Sequence, residues 1–384
     1  EFIVGADQDF YFLEMNTRLQ VEHPVTEMVY GLDLVEWMIR IAAGERLAIE
    51  QGDVVPTGWA VEARLYAEDP ERGFLPSIGQ LTRYREPVGD GVRVDSGVAE
   101  GGAISMFYDP MISKLIAFAP TRPEAIARLH LALDHYEIDG IASNRQFLSA
   151  VLENDSFQAG TITTGFIDAE FDGGFVAALP EGKTRAQLLA LGTAIVAGQM
   201  AERSHTLSDR DFVTIDQEGN RAETSWQQDA NGQISVVVDG RKQNIFGRVI
   251  VPISLFDGTI NEVPLAIQVR HSGHHVNLSI GAARLSLSIL PKRFATMLDY
   301  MPAASTGSGR DEICAPMPGQ LTKLLVVEGD NVLPGQDVAI IEAMKMENVL
   351  KSEAKGAVGK VHVAEGDNLN VDDLIISLDL ADQS

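Results

Sequence analysis

Five polar residues alternate with apolar ones near the start of the chain: Glu14, Asn16, Arg18, Gln20 and Glu22. In an extended segment, residues two apart share a face, so this spacing sets carboxylates, amides and a guanidinium side by side. Carboxylate and amide oxygens suit a hard cation, and an arginine fork matches a small oxyanion. The pattern predicts a site for a metal and a small anion. The alternative is a solvated edge strand with incidental charges.

A further carboxylate comes from a predicted hairpin at the start of the chain. Residues 1–4 and 10–14 are apolar-rich and flank a polar stretch, which is a β-hairpin signal. A turn centred on residues 7–8 sets Glu1 directly opposite Glu14. Facing like charges destabilise strand pairing unless something neutralises them. A hard cation held by both carboxylates would do so, and Mg²⁺ between protein carboxylates and nucleotide phosphates is the usual case.

Near the other end of the chain, Lys345 lies between Met344 and Met346. The apolar runs 338–341 and 349–350 on either side predict a β-hairpin with this lysine at its tip. A tip lysine is solvated, so burial does not explain its apolar neighbours. The alternative is an ordinary surface lysine on a turn.

An internal repeat surrounds this hairpin. The pattern Gly-x-Leu-x-Lys-Leu-x-Val-x-Glu-Gly-Asp-Asn at 319–331 recurs at 356–368 with Val in place of Leu at two positions. Two copies of a short-strand unit predict two similar sheets packed face to face. The hairpin tip then projects from one end of a flattened sandwich.

Composition limits the classes of function. The chain has 384 residues, 45% of them hydrophobic, which allows two or three domains with separate cores. The net charge of −25 repels a phosphate backbone and argues against nucleic-acid binding. The single cysteine, Cys314, excludes internal disulfides and fits a reducing compartment. No run of about 18 apolar residues suggests a membrane span.

The segment Glu14-Met-Asn-Thr-Arg-Leu-Gln-Val-Glu-His-Pro-Val-Thr-Glu27 resembles the signature of biotin carboxylase, an ATP-grasp enzyme family. The resemblance implies a Mg²⁺ (or Mn²⁺) ion on the phosphates of ATP, a bicarbonate site and a general base that removes the bicarbonate proton. The residues implied are Glu1, Glu14 and Asn16 for the metal, Arg18, Gln20 and Val21 for bicarbonate, and Glu22 for the base. His23 is predicted to be structural.

The block Ala60-Val-Glu-Ala-Arg-Leu-Tyr-Ala-Glu-Asp-Pro70 continues the resemblance. Arg64 corresponds there to the arginine that stabilises the biotin enolate. A positively charged guanidinium beside a developing enolate stabilises its negative charge. The alternative is a strand arginine paired with Glu62 or Glu68. Residues 74–79, 108–116 and 138–144 also match, and within them Asp109 and Lys114 receive no chemical role.

The Ala-Met-Lys-Met sequence ending at Met346 resembles the biotinyl carrier domain. The resemblance implies that Lys345 carries covalent biotin and that a biotin protein ligase attaches it. The related lipoyl domain usually has an acidic residue, Lys and Ala at the tip, which this chain lacks. A lipoyl carrier therefore remains only as an alternative.

Between these parts, apolar spacing predicts one long helix from Thr184 to about Arg203, and then a series of short strands. Asp257-Gly258 is among the predicted turns. A helix followed by antiparallel strands predicts an up-and-down sheet or a small barrel around that helix. The histidines at 271, 274 and 275 are interpreted as part of a surface strand, not a metal site. This region resembles the β-subunit-binding domain of propionyl-CoA and 3-methylcrotonyl-CoA carboxylase α-subunits, and the propionyl-CoA type more.

The predicted fold class is multidomain α+β. Its parts are the C-terminal part of an ATP-grasp biotin carboxylase (1–168), a helix-plus-antiparallel-barrel domain that binds a β-subunit (169–303), a flexible linker (304–310) and a biotinyl/lipoyl-type flattened β-sandwich (311–381). The resemblance implies the α-subunit of a biotin-dependent acyl-CoA carboxylase, most similar to propionyl-CoA carboxylase. It also implies a carboxyltransferase β-subunit, an α₆β₆ assembly, and a bacterial cytoplasmic or mitochondrial matrix location.

Residues 1–170 contain no glycine-rich phosphate loop of either common type. Together with a start in mid-strand, this makes the chain look like a fragment that carries the metal and bicarbonate half of the site. We therefore expect that it cannot cleave ATP alone. The alternative functions are the α-subunit of a 3-methylcrotonyl-CoA carboxylase and a non-catalytic biotin carrier and docking protein. The sequence leaves open which acyl-CoA is used.

Overall fold

The structure is a computed structural model that describes residues 1–105, 108–204, 210–229, 232–249, 252–297, 312–333, 335–343, 346–352 and 354–380. The chain forms two compact units. The first contains Glu1–Arg64, Pro87–Ser96 and Ser113–Ala132, and the second contains Leu65–Glu86, Gly97–Ile112 and Leu133–Ser384. The predicted linker, 304–310, lies outside the described residues.

The first 170 residues contain eleven strands and six helices in the described part of the chain. In order they are β1 (Phe2–Val4), β2 (Phe10–Phe12), α1 (His23–Tyr30), α2 (Leu34–Ala42), β3 (Trp59–Tyr66), β4 (Glu68–Asp69), β5 (Leu75–Pro76), β6 (Gly79–Gln80), β7 (Arg83–Arg85), β8 (Val92–Ser96), β9 (Ala103–Ile104), β10 (Met111–Ala119), α3 (Arg122–His135), β11 (Glu137–Asp139), α4 (Arg145–Glu153), α5 (Asp155–Ala159) and α6 (Phe166–Glu170). Two short 3₁₀ turns lie at Gln51–Asp53 and Pro70–Arg72.

In the first unit, β1 and β2 form the predicted N-terminal hairpin. The ring of Phe2 meets those of Phe10 and Phe12 edge to face, with centroids 5.9 and 5.7 Å apart. Helix α2 begins where the Asp33 carboxylate accepts the N–H of Glu36 at 2.8 Å. Strand β10 lies between β3 and β8 and is buried on both faces. This sheet supplies the rigid support for the site.

In the second unit, a cluster of phenylalanines holds helix α4. The ring of Phe147 lies 5.0 Å from Phe74, 5.1 Å from Phe171 and 5.6 Å from Phe175, centroid to centroid. These edge-to-face contacts add to the burial of apolar surface. The first residues of α4 are thereby fixed beside strand β11, which pairs with β7.

The middle of the chain folds as a closed eight-stranded barrel around a long helix, as predicted. Leu188 and Leu191 of this helix are fully buried in one core with Phe212 and Phe256 of the strands. The elements are α7 (Gly182–Ser204), β12 (Asp211–Asp216), β13 (Arg221–Gln228), β14 (Ile234–Val238), β15 (Arg241–Gly247), β16 (Leu255–Ile260), β17 (Val263–Ser272), β18 (His275–Ile280) and β19 (Ala283–Pro291), followed by the short helix α8 (Lys292–Ala295).

The prediction of a turn at Asp257-Gly258 was wrong, because both residues lie inside β16. Gly258 pairs with Gly247 of β15. A Cβ atom at position 258 would clash with the carbonyl oxygen of Phe246 and lie 2.9 Å from the Phe256 ring. This glycine therefore allows two strands and a ring to approach closely, a role that local sequence does not distinguish from a turn.

The C-terminal part is the predicted flattened sandwich of two four-stranded sheets, ordered β20-β27-β25-β22 and β24-β23-β21-β26. The strands are β20 (Glu312–Cys314), β21 (Gly319–Leu324), β22 (Asn331–Val332), β23 (Asp337–Ala343), β24 (Met346–Lys351), β25 (Gly356–Val361), β26 (Asn368–Leu369) and β27 (Leu374–Leu380). The sequence repeat appears as reciprocal hydrogen bonds. The Glu365 carboxylate accepts the N–H of Leu324 at 2.9 Å, and Glu328 accepts that of Val361 at 3.1 Å.

Among the described residues, no helix is both long enough and apolar enough to cross a membrane.

Candidate active site

The hairpin register differs from the one predicted. Phe2 pairs with Phe12 and Val4 with Phe10, so Glu1 lies across from Leu13, not from Glu14. The cause is a five-residue loop with Gln8 in the left-handed region at φ +68°. The pairing is thereby shifted by one residue, and facing carboxylates no longer argue for a cation. The backbone nitrogen of Glu1 instead donates to the Glu14 carbonyl at 2.6 Å.

The segment from residue 14 to residue 22 is not a paired strand. Strand β2 ends at Phe12, and the chain bends at Arg18, whose guanidinium donates to the Leu19 carbonyl at 3.2 Å. The strict alternation of faces expected for an extended segment therefore does not hold. The Asn16 amide lies 3.4 Å from the Glu14 carboxylate, so these two of the three predicted metal ligands are neighbours.

These donors fit a magnesium ion in kind, because all are hard oxygen atoms and Mg²⁺ keeps several waters. In the described part of the chain, no group of three or more His, Cys, Asp or Glu side chains is arranged for a metal. The carboxylate and amide pair at Glu14 and Asn16 thus accounts for only part of a coordination shell. The other predicted ligand, Glu1, is exposed.

The predicted base and the predicted arginine are in direct contact. Arg64 Nη2 lies 2.6 Å from Glu22 Oε2, and Arg64 Nε lies 3.3 Å from Glu62 Oε1. Strand β3 places Glu62 and Arg64 on the same face, since they are two residues apart. The alternative pairing with Glu62 is therefore also present. One guanidinium joins two carboxylates, one exposed and one buried.

The buried carboxylate, Glu62, is 6% exposed, and its Oε2 atom has no hydrogen-bond partner in the structure. Burial raises its pKa, although Arg64 and the charge of Lys114 oppose the shift. Among the residues that the structure describes, the Arg64 guanidinium is therefore the only hydrogen-bonding partner of the Glu62 carboxylate. The contact with Glu62 restrains Arg64 at Nε, while Nη2 faces Glu22.

Lys114, which received no role from the sequence, supports the backbone of the site. Its ammonium donates to the carbonyl of Val21 at 3.1 Å and lies 3.2 Å from Asp95. Val21 precedes the predicted base, so this bond holds the peptide next to Glu22. A lysine within the apolar run that forms strand β10 was the signal in the sequence, and its partners are far away along the chain.

A chain of charges extends this support to helix α2. Arg93 forms ion pairs with Asp95 at 2.7 Å and with Glu27 at 2.7 Å. Glu27, which is buried, also accepts the N–H of Leu34, the first residue of α2, at 2.8 Å. The pKa of Asp95 is lowered because hydrogen bonds from Arg93 and Lys114 outweigh the effect of burial. His23 donates one hydrogen bond from Nδ1 to the Gln20 carbonyl at 2.8 Å, in agreement with a structural role.

The carrier hairpin is present as predicted. Strands β23 and β24 pair with Ala343 opposite Met346. Met344 and Lys345 connect them in the sequence and lie outside the described residues, so the predicted exposure of the lysine stays a prediction. The ring centroids of His274 and His275 lie 3.9 Å apart with the rings tilted by 41°. Burial lowers the pKa of His274, and the neighbouring His275 lowers it further.

Family models match four parts of the chain. Their descriptions are "Carbamoyl-phosphate synthase L chain, ATP binding domain" for residues 1–50, "Biotin carboxylase C-terminal domain" for 62–169, "Propionyl-coenzyme A carboxylase BT domain" for 188–303 and "Biotin-requiring enzyme" for 311–378.

Curated relatives match along almost the whole chain. A propionyl-CoA carboxylase alpha chain from Ruegeria pomeroyi is 41% identical over 99% of this chain and 60% of its own length. The mitochondrial human propionyl-CoA carboxylase alpha chain is 37% identical over 99% of this chain and 54% of its own length. A mitochondrial methylcrotonoyl-CoA carboxylase subunit alpha from Glycine max is 32% identical over 98% of this chain and 58% of its own length. The chain thus spans little more than half the length of these relatives.

Proposed function

We propose that this chain is part of the alpha chain of a biotin-dependent acyl-CoA carboxylase and serves the ATP- and bicarbonate-dependent carboxylation of biotin on Lys345. The CO₂ is then transferred to an acyl-CoA on a partner β-subunit. The observation that carries the proposal is the 2.6 Å contact between Glu22 and Arg64, which brings the proposed base and the proposed anion-stabilising group together.

When bound, Mg-ATP supplies the phosphoryl group that activates bicarbonate, and biotin supplies the nitrogen that carries CO₂. Glu1, Glu14 and Asn16 would hold the metal through oxygen atoms. Arg18, with Gln20 and Val21, would bind bicarbonate, because a guanidinium fork matches its planar oxygens. These ligand roles are proposed from the resemblance and from the nearness of Glu14 to Asn16.

Glu22 accepts the bicarbonate proton at a carboxylate oxygen. In the structure that carboxylate is bound to Arg64, so the entering anion must separate the two. The Arg64 guanidinium, still bonded to Glu62, then stabilises negative charge that develops beside it. Glu62 and Lys114 keep the guanidinium and the Val21 peptide in place during this exchange.

For the acyl group we propose propionyl-CoA. The match of residues 188–303 to a propionyl-CoA carboxylase domain supports this, as does the higher identity to propionyl-CoA carboxylase alpha chains than to the methylcrotonoyl-CoA relative. We further propose that the barrel binds the carboxyltransferase β-subunit in an α₆β₆ assembly, that a biotin protein ligase modifies Lys345, and that the site of action is the bacterial cytoplasm or the mitochondrial matrix.

The test is intact mass and a streptavidin blot of the chain produced with a biotin protein ligase. We expect one biotin per chain and none in Lys345→Arg, because arginine keeps the charge but cannot form the amide. A signal that survives this substitution, or an adduct with the mass of lipoate, contradicts the assignment.

A second assay separates the enzyme subunit from a pure carrier. The biotinylated chain is mixed with the ATP-grasp lobe of a relative, and carboxylation of biotin from labelled bicarbonate is followed. Carboxylation that requires Glu22 supports the enzyme. Carboxylation that is equal in Glu22→Gln supports a carrier and docking protein. Bicarbonate-dependent ATP cleavage by the chain alone contradicts our expectation that it lacks a complete nucleotide site.

A further inference from the structure

The second unit contains a cavity of about 260 Å³ that lies between the β11–α4 segment and the barrel strands β17 and β18. Its charged lining residues are Asp69, Glu71, Asp139, Arg145, Arg270 and Arg284. None of them belongs to the site proposed above. Equal numbers of acidic and basic groups give a lining that is neutral in sum, so the pairing of each group decides what the cavity attracts.

Arg145 is the buried cation of this cavity. It is 8% exposed, and its guanidinium donates only to neutral acceptors, the carbonyl of Leu133 at 3.3 Å and the hydroxyl of Ser279 at 3.1 Å. Among the residues that the structure describes, no acidic side chain forms an ion pair with it. A guanidinium has five N–H groups, and burying its charge without an anionic partner is costly.

The acidic residues around the cavity are engaged elsewhere. Asp139 binds Arg270 at 2.6 Å, and Glu71 binds Arg284 at 2.6 Å. Asp69 accepts the N–H of Glu71 at 3.1 Å. Each lining carboxylate thus has its own partner, whereas the Arg145 charge has none in direct contact.

Charged groups that are not hydrogen-bonded to Arg145 also interact with it electrostatically. Burial lowers its pKa, Asp134 and Asp139 oppose that shift, and repulsion from Arg270 adds to it. Asp134 itself accepts the N–H of Gly281 at 2.7 Å. Two guanidinium groups, one buried and one at the exposed rim, therefore act on the same space, and Asp139 is in direct contact only with the one at the rim.

The start of helix α4 adds to the positive character. Arg145 is its first residue, and Asn144 makes no side-chain capping bond, because its Oδ1 accepts the N–H of Tyr66 at 2.9 Å. The N–H groups and dipole at a helix start favour an anion. This feature and the buried guanidinium are separate observations that agree.

We propose that the cavity binds a small oxyanion, of carboxylate or phosphate type, on the guanidinium of Arg145 with Arg270 at the rim. A forked guanidinium holds such an ion through two parallel hydrogen bonds. The carboxylates that share the lining favour a single negative charge over a multiply charged ion. The bound ion would join helix α4 to the barrel strands, and the proposal does not depend on the carboxylase function.

The experiment is titration of the full chain with sodium acetate and with inorganic phosphate at constant ionic strength, set by chloride. Calorimetry follows both ions, and phosphorus NMR line width follows phosphate. We expect saturable binding of at least one ion above the chloride background. Tighter acetate binding identifies a carboxylate ligand, and tighter phosphate binding identifies a phosphate.

Variants locate the site. Arg145→Gln should weaken binding at least about tenfold, since a charge-assisted bidentate bond is lost, and Arg270→Gln should weaken it less. Arg241→Gln, an exposed arginine on β15 of the same barrel, is the matched control and should bind as the parent does. Circular dichroism reports folding of each variant. If Arg145→Gln fails to fold, Arg270→Gln and Arg145→Lys decide the question.

Two results overturn the proposal. One is binding of acetate and phosphate no stronger than that of chloride. The other is unchanged affinity in the folded variants of Arg145 and Arg270.

Discussion

The guanidinium of Arg64 lies 2.6 Å from the carboxylate of Glu22, although 42 positions separate the two residues in the sequence. Both side chains are partly exposed, with Arg64 at 37% and Glu22 at 52%, so the ion pair itself adds little stability. Its importance is chemical. The contact holds the proposed base and the proposed anion-stabilising group side by side until a substrate anion enters between them.

Glu22→Gln should reduce carboxylation of biotin by roughly 10²–10⁴-fold, the usual contribution of a general base. The fold should be unaffected because the side chain is exposed. The measurement is incorporation of labelled bicarbonate by the chain with an ATP-grasp lobe supplied. Glu45→Gln, an exposed carboxylate on the same unit, is the control. Equal activity in both variants would remove the base assignment from Glu22.

Lys114→Met should lower activity without removing any group that touches substrate, because the Val21 carbonyl loses its 3.1 Å bond. A buried acceptor left without a donor costs about 1–3 kcal/mol. Lys114→Arg should restore part of the rate, since it retains a charged donor. The readout is the maximal rate measured separately from the apparent affinity for bicarbonate. A loss in Lys114→Met that Lys114→Arg does not recover at all argues for a different role.

Asp216 anchors the helix α7 to the barrel. Its carboxylate is fully buried, lies 2.7 Å from the Arg185 guanidinium, and also accepts the backbone N–H of Asn220 at 2.8 Å. Burial alone would raise its pKa, but these bonds lower it below the ordinary value of 3.8. A carboxyl group whose pKa is lower in the folded than in the unfolded state stabilises the fold at pH values above its unfolded-state pKa. This contribution is lost as the pH falls through the folded-state pKa.

Asp216→Asn should therefore destabilise the barrel at pH 7 by about 3 kcal/mol, as expected when one partner of a buried pair is removed. The difference from the parent should shrink below pH 3.8. Fluorescence of Trp226, which is buried in the barrel, follows this unfolding step once Trp37 and Trp59 are replaced by Phe. Asp257→Asn, whose side chain is 72% exposed, is the control. A difference that stays constant down to acid pH contradicts the prediction.

Gly258→Ala should destabilise the barrel by roughly 1–3 kcal/mol, the usual cost of overpacking. The added methyl group would clash with the Phe246 carbonyl. Gly198→Ala is the matched control in helix α7, where a Cβ atom meets nothing within 4 Å. There alanine should stabilise by about 0.5–1 kcal/mol because it favours the helix. Unfolding followed by Trp226 fluorescence measures both, and similar effects at both positions would show that the close approach is absent.

Glu328→Ala and Glu365→Ala should each destabilise the carrier sandwich by about 1 kcal/mol, the value of one hydrogen bond. The two losses should be similar because the two bonds occupy equivalent places in the repeat. Hydrogen exchange of the Leu324 and Val361 amides reports each bond directly. Lys360→Ala, on strand β25 with Val361, is the control. Protection of both amides that is unchanged in the variants would show that the carboxylates are not the acceptors.

The sequence predicted the parts of the fold that depend on local pattern. The long apolar helix, the strands around it and the doubled Gly-x-Leu motif at Gly319 and Gly356 all describe elements that are present. It failed where spacing has two physical meanings. Gly258 allows close packing inside a strand and does not form a turn. The five-residue loop that contains Gln8 shifts the strand register, so that Glu1 lies opposite Leu13 and not opposite Glu14.

The site was predictable only through residues that the biotin carboxylase motif names. The contact between Arg64 and Glu22, and the support from Lys114, join strands that are distant along the chain, so no local spacing encodes them. Arg145 was missed for the same reason. Its burial depends on barrel strands more than 120 residues away, such as the one that supplies Ser279.

The exchanged carboxylates of Glu328 and Glu365 make each half of the carrier sandwich incomplete by itself. A peptide with only one copy of the motif would hold an acceptor and a donor that cannot reach each other within the same molecule. Two such peptides could satisfy both needs by associating as a symmetric pair. The intact sandwich is thus organised like a dimer whose two subunits have been joined into one polypeptide, with the lysine-bearing hairpin as the difference between them.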